Sequence, residues 1–158
     1  MSKNKSWTEK LEARDKDLPK IVKLDEKMQK KYRGAKTMVV PHPRDVLDII
    51  SRVPAGALIT TEEIRQMLAK KYDVDIACPM TTGIFVTIAV NAAQEIAENT
   101  GKIIPWWRTL RSKGVLNEKA PGGLDNHKKM LEQEGFSIIK KGNKYIVENY
   151  RNFVVPVV

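Results

Sequence analysis

Ile103-Ile104-Pro105-Trp106-Trp107-Arg108-Thr109-Leu110 joins the two halves of this chain's apolar pattern. Before it, residues 82–99 carry Ile84, Phe85, Val86, Ile88, Ala89, Val90, Ala92, Ala93, Ile96 and Ala97. A helix apolar on nearly every side is a central one, and Asn99-Thr100-Gly101 ends it, with glycine free to turn left-handed. After the tryptophan turn come Thr109 to Gly114, Val115 to Ala120 and the break Pro121-Gly122-Gly123. A helix is expected over Leu124 to Glu134, with Met130 and Leu131 inward, Gly135 closing it, and His127 solvated among Asn126, Lys128 and Lys129. Phe136 to Lys140 and Lys144 to Glu148 alternate around Lys141-Gly142-Asn143, which predicts a β-hairpin. The apolar tail, Phe153 to Val158, is expected to be tied down.

Toward the N-terminus, Thr60-Thr61-Glu62-Glu63 is a capping box opening a helix to about Tyr72, with Ile64, Met67 and Leu68 buried. Pro43 to Val53 reads as another helix, ended by Pro54-Ala55-Gly56. Thr37 to Val40 is extended, because Pro41 and Pro43 disfavour helix before them, and His42 reads as a turn residue. Leu18, Ile21, Val22, Leu24, Met28 and Tyr32 recur at helical spacing, predicting an amphipathic helix over 19–33 that Gly34 stops. Its Lys27, Lys30, Lys31 and Arg33 form either a solvated face or a phosphate-contacting one. Residues 1–16 allow a short helix. Cys78, in a connector over 73–80, reads as a small buried hydrophobe.

The order helix, Pro-x-Gly, helix, long helix, Ile-Pro-x-x-Arg, Gly-Gly, Leu-x-x-Glu-Gly resembles the O6-alkylguanine-DNA alkyltransferases over residues 43–140. That family writes Ile-Pro-Cys-His-Arg-Val at the turn, and its cysteine takes the alkyl group from a flipped-out guanine. Here Trp106 stands at the cysteine position and Trp107 at the histidine position, while Pro105 and Arg108 match. Tryptophan at the cysteine position is also how the alkyltransferase-like branch looks, which binds alkylated DNA without repairing it. Thr61 stands where the family has a tyrosine that helps turn out the nucleotide. The resemblance makes 82–99 the recognition helix, with an arginine finger due near Ile88 or Ala89. No arginine lies between 66 and 107, so that finger is missing, although Ala89, Ala92 and Ala93 would permit close approach to a sugar-phosphate backbone. They would equally permit helix packing.

The resemblance implies an α+β, mainly helical fold: a winged-helix-like DNA-binding domain over 38–158 with a C-terminal β-hairpin wing, and a basic helical N-terminal arm over 1–37. The implied DNA-binding set is Thr61, Ala89, Ala92, Trp106, Trp107, Arg108, Arg111 and Lys113. Trp106 and Trp107 either stack on an extruded base or fill the core. Arg108 either pairs with a carboxylate inside the fold or contacts phosphate. Arg111 and Lys113, on the loop beyond, suit phosphate contacts.

The 158 residues fit one domain plus an arm. With 28 Lys and Arg against 19 Asp and Glu the net charge is +9, which makes an anionic partner, nucleic acid first, the expectation. Residues 1–37 hold 12 basic against 6 acidic side chains, so most of the excess lies in the arm. A single cysteine excludes an internal disulfide and fits a reducing compartment. The N-terminus lacks an apolar signal core, no apolar run is long enough for a membrane span, and a cytoplasmic protein is expected. One cysteine and two distant histidines do not make a zinc site, no cofactor motif is present, and alkyl transfer needs an activated thiolate that positions 106 and 107 lack. The expected function is DNA binding without methyltransferase activity, with O6-alkylguanine or other damage as possible targets. The rival is a repurposed winged-helix scaffold that binds another protein through its arm and tail. A transcription factor reading the major groove is disfavoured, because 82–99 offers only Asn91, Gln94, Glu95, Glu98 and Asn99 as polar readers.

Overall fold

Helix α5, Pro79–Thr100, forms the centre of the fold, and α1, α3 and α4 pack on it. Pro79 begins it without needing an N–H partner, and Gly101 ends it in the left-handed conformation at φ 79°. The structure is a computed structural model and describes residues 6–12 and 17–157. The elements run α1 (Trp7–Glu12), β1 (Lys20–Lys23), α2 (Glu26–Lys31), β2 (Thr37–Val40), α3 (Pro43–Ser51), β3 (Ile59–Thr60), α4 (Thr61–Lys71), β4 (Ile76–Ala77), α5, β5 (Thr109–Leu110), α6 (Gly123–Gln133), β6 (Ile138–Lys141) and β7 (Lys144–Val147). Three small sheets surround the helices: β1-β2-β4, β3-β5 and β6-β7. The expected mixed, mainly helical architecture is what is found. Among the described residues no helix is long and apolar enough to cross a membrane.

The capping signals act where the sequence puts them. The Thr60 hydroxyl accepts the Glu62 N–H, and the Glu63 carboxylate accepts the Thr60 N–H at 2.8 Å, so α4 starts with a complete capping box. His42 does more than turn the chain. Its Nδ1 accepts the Arg44 N–H at 3.0 Å and it N-caps α3. The wing is present, with β6 and β7 antiparallel and Ile139 opposite Ile146. The tail is held where expected: Val155 N–H donates to Leu58 O at 2.9 Å, and Leu58 N–H to Phe153 O at 2.8 Å.

The helix expected over 19–33 is a correction. Lys20–Lys23 is a strand antiparallel to β2, with Ile21 opposite Val39 and Val22 opposite Met38. Its β-branched pair favours cross-strand packing over helix, and Asp25 caps a helix that begins only at Glu26. Ile21, expected inward, is 55% exposed. The 37/38 boundary therefore falls inside a sheet that includes β1, β2 and β4. Within the 1–16 segment, α1 lies on α5, where the Glu95 carboxylate accepts the N–H groups of Trp7 and Thr8 at 3.0 and 2.9 Å. Residues 1–5 and 13–16 lie outside the described residues.

Candidate nucleic-acid interface

Beyond Gly101 the chain runs without regular structure to Pro105, and Trp106–Arg108 form one 3-10 turn before β5. Trp106 is 2% exposed, and its indole N–H donates to Gln94 Oε1 of α5 at 3.0 Å. A buried indole needs such a partner. Trp107 stands edge-on to it, with ring centroids 5.9 Å apart, and donates to Glu134 Oε1 at 2.8 Å. Arg108 grips the same Glu134 with two nitrogens, at 2.9 and 2.6 Å, and gives a third hydrogen bond to Val53 O at 2.8 Å. The Arg108 guanidinium, with help from Trp107, holds the Glu134 carboxyl below its ordinary value despite partial burial. The turn is thus built into the core by one carboxylate at the end of α6. Of the two roles open to Trp106 in the sequence, core filling is the one observed.

His127, expected in solvent, is 1% exposed. Its Nδ1 accepts the Asn117 N–H at 3.2 Å, so that nitrogen carries no proton, and Nε2–H donates to Trp107 O at 2.8 Å. Burial pushes its pKa down to about 4. A neutral imidazole therefore links α6 to both the tryptophan turn and the loop that follows.

Above this buried layer lies a cleft of about 430 Å3. One wall is the start of α4 and α5, with Thr61, Arg65, Pro79, Gly83 and Thr87. The other is the loop over 111–118 with Asn143, Lys144 and Tyr145 of the hairpin. The Thr61 and Ser112 hydroxyls are 3.2 Å apart across it. Leu116 N–H donates to Tyr145 O at 2.9 Å, which fixes the wing against the loop. Arg111 is half-exposed and held by Asn117 Oδ1 and Glu118, at 3.1 and 3.0 Å.

Of the residues expected to meet DNA, Thr61 and Arg111 line this cleft, and Lys113 is exposed on the adjoining loop at φ 64°. Trp106, Trp107 and Arg108 do not line it. Ala89 and Ala92 are 0% exposed, which corrects their assignment to a DNA-facing surface: their small side chains serve helix packing inside the core. Sequence reasoning missed Arg65, Lys144 and Tyr145. Tyr145 is the only aromatic side chain in the lining, and its position on a β-strand facing the loop was the available signal.

Residues 41–136, more than half of the chain, match the family model described as 6-O-methylguanine DNA methyltransferase, DNA binding domain. The chain belongs to this family. No curated protein matches it. Two solved structures resemble it: S. pombe Atl1 in complex with damaged DNA containing O6-carboxymethylguanine, at 19% identity and TM-score 0.48, and S. pombe ATL in complex with DNA, at 17% and 0.47. Each covers 72% of this chain and 94% of the other. Within the methyltransferase family's domain this chain has an indole, not a thiol, at the turn. Its single cysteine, Cys78, sits at the start of α5 and receives a hydrogen bond from the Thr81 hydroxyl at 3.1 Å. Among the described residues no cluster of His, Cys, Asp or Glu is placed to hold a metal ion.

Proposed function

We propose that this protein binds duplex DNA as a non-catalytic, alkyltransferase-like member of its family, and that the cleft between Thr61, Arg65, Arg111 and Tyr145 receives an extruded or damaged base. The observation that carries the reading is a cleft with three basic side chains in its lining, in a domain whose tryptophan turn is buried and does not open into it. Arg65, Arg111 and Lys144 in its lining outnumber its one carboxylate, Glu118, which pairs with Arg111 at 3.0 Å, and the excess positive charge suits phosphates. Its volume lies in the range of small-molecule sites, about 300–1,000 Å3. Tyr145 is the aromatic side chain of the lining, with the Lys128 and Lys140 ammonium groups 5.7 and 5.9 Å from its ring centroid; a base that displaces one of them and stacks there gains about 1–3 kcal/mol. No alkyl group leaves the base, because transfer needs a thiolate beside a base and Trp106 offers a buried indole that is already hydrogen-bonded. We place this activity in the cytoplasm.

Fluorescence anisotropy with labelled duplexes, with and without one O6-methylguanine, tests this over a range of salt. Wild-type protein should bind both with a steep salt dependence, and the modified duplex more tightly. Tyr145→Leu should narrow that preference, while Arg111→Gln and Lys144→Gln should weaken both duplexes alike. No binding at low salt would overturn the reading and favour the protein-scaffold alternative.

A further inference from the structure

We propose that the end of α2, outside the residues matched to the family, adds a second phosphate-binding surface beside the cleft, and that one DNA molecule occupies both. The inference rests on the reading of the cleft as a DNA site. A second hollow of about 390 Å3 lies between the end of α2, the face of α4 and β4. Lys31, Arg33 and Arg65 contribute positive charge to its wall, and Glu62 and Asp75 negative charge. Arg65 and Pro79 line this hollow and the cleft alike, so the two meet across these residues.

The wall carries three basic side chains against two carboxylates, Glu62 and Asp75, a net charge of +1. Asp75 keeps its charge, and its Oδ2 accepts the N–H groups of Lys36 and Thr37 at 2.8 and 3.2 Å, so it forms no ion pair with the basic residues of the wall. The Arg33 and Arg65 side chains make no hydrogen bond or ion pair with any described residue. From Lys20 to Lys36 the chain carries seven basic side chains against two acidic ones. Arg33 also sits at φ 56°, directly before Gly34 at φ 89°. An arginine in the left-handed region is disfavoured relative to glycine, so local folding alone does not explain the choice of residue. A single phosphate could be held by either hollow. A polymer of regularly spaced phosphates is served by both, and that is the chemistry of a nucleic-acid strand.

The test uses the full chain and a labelled duplex long enough to cross both hollows. The Lys31→Gln/Arg33→Gln double variant should bind about tenfold more weakly, and the slope of log K against log salt should shrink by about one to two. Its preference for O6-methylguanine over guanine should be unchanged. Arg33→Gly should melt at the same or a higher temperature yet also bind more weakly, which a purely structural arginine would not do. If wild-type protein binds and the double variant matches it in affinity and slope, the second surface is refuted. If wild-type protein does not bind duplex at all, the reading of the cleft falls first and takes this one with it.

Discussion

Trp106 and His127 hold the tryptophan turn in the core at the residue scale. Burying a tryptophan removes about 150–250 Å2 from water, worth about 4–6 kcal/mol at the usual area coefficient. Trp106→Ala should therefore cost about 3–5 kcal/mol in a chemical-denaturation experiment. His127 gives a pH signature. Its folded pKa, about 4, lies below the ordinary 6.5, so the unfolded chain takes up a proton that the folded one refuses. The neutral ring's stabilisation is complete above pH 6.5 and is lost as the pH falls, by about 3 kcal/mol at pH 4. Unfolding free energies measured across this range should flatten in His127→Gln, whose amide can still donate and accept. The burial of His127 was legible in part. Its immediate neighbours are polar, but it lies four residues before Leu131 and so shares the inward stripe of α6.

At the scale of elements, Glu134 ties α6 to the tryptophan turn. Removing it strands the Arg108 guanidinium, whose side chain is 12% exposed. Glu134→Ala should destabilise by about 3 kcal/mol, measured by urea titration. The lowered Glu134 pKa means its contribution is present above its ordinary value of 4.5 and is lost below it. That window lies under the one in which His127 begins to act. A second clamp is Glu95, which holds the start of α1 on α5. Burial alone would raise its pKa, but the N–H groups of Thr8 and Trp7 bring it below the ordinary value. Glu95→Ala should speed hydrogen exchange over residues 7–12 while leaving exchange in β6 and β7 unchanged. Helices α3, α4, α5 and α6 and the hairpin were legible because each carries its own period and its own stop signals. Strand β1 was not. Apolar spacing over 19–33 fits a helix locally, and only β2, from elsewhere in the chain, converts it to a strand. The cleft was legible only at Thr61 and Arg111, because its walls come from α4, α5, one loop and the hairpin, segments separated in sequence.

At the scale of the whole molecule, a domain of the methyltransferase family carries a buried indole, Trp106, in the turn after its central helix. Charge supports the retained task, since the net +9 is concentrated toward the β1–α2 side and the cleft adds Arg65, Arg111 and Lys144. Binding and chemistry are then separable in one experiment. The protein is incubated at low salt with duplex carrying O6-methylguanine labelled in its methyl group, retained on a filter, and then denatured. The label should be retained with the folded protein and recovered entirely in the DNA after denaturation. Label covalently attached to the denatured protein, or no retention at low salt, would contradict the proposal of DNA binding without alkyl transfer.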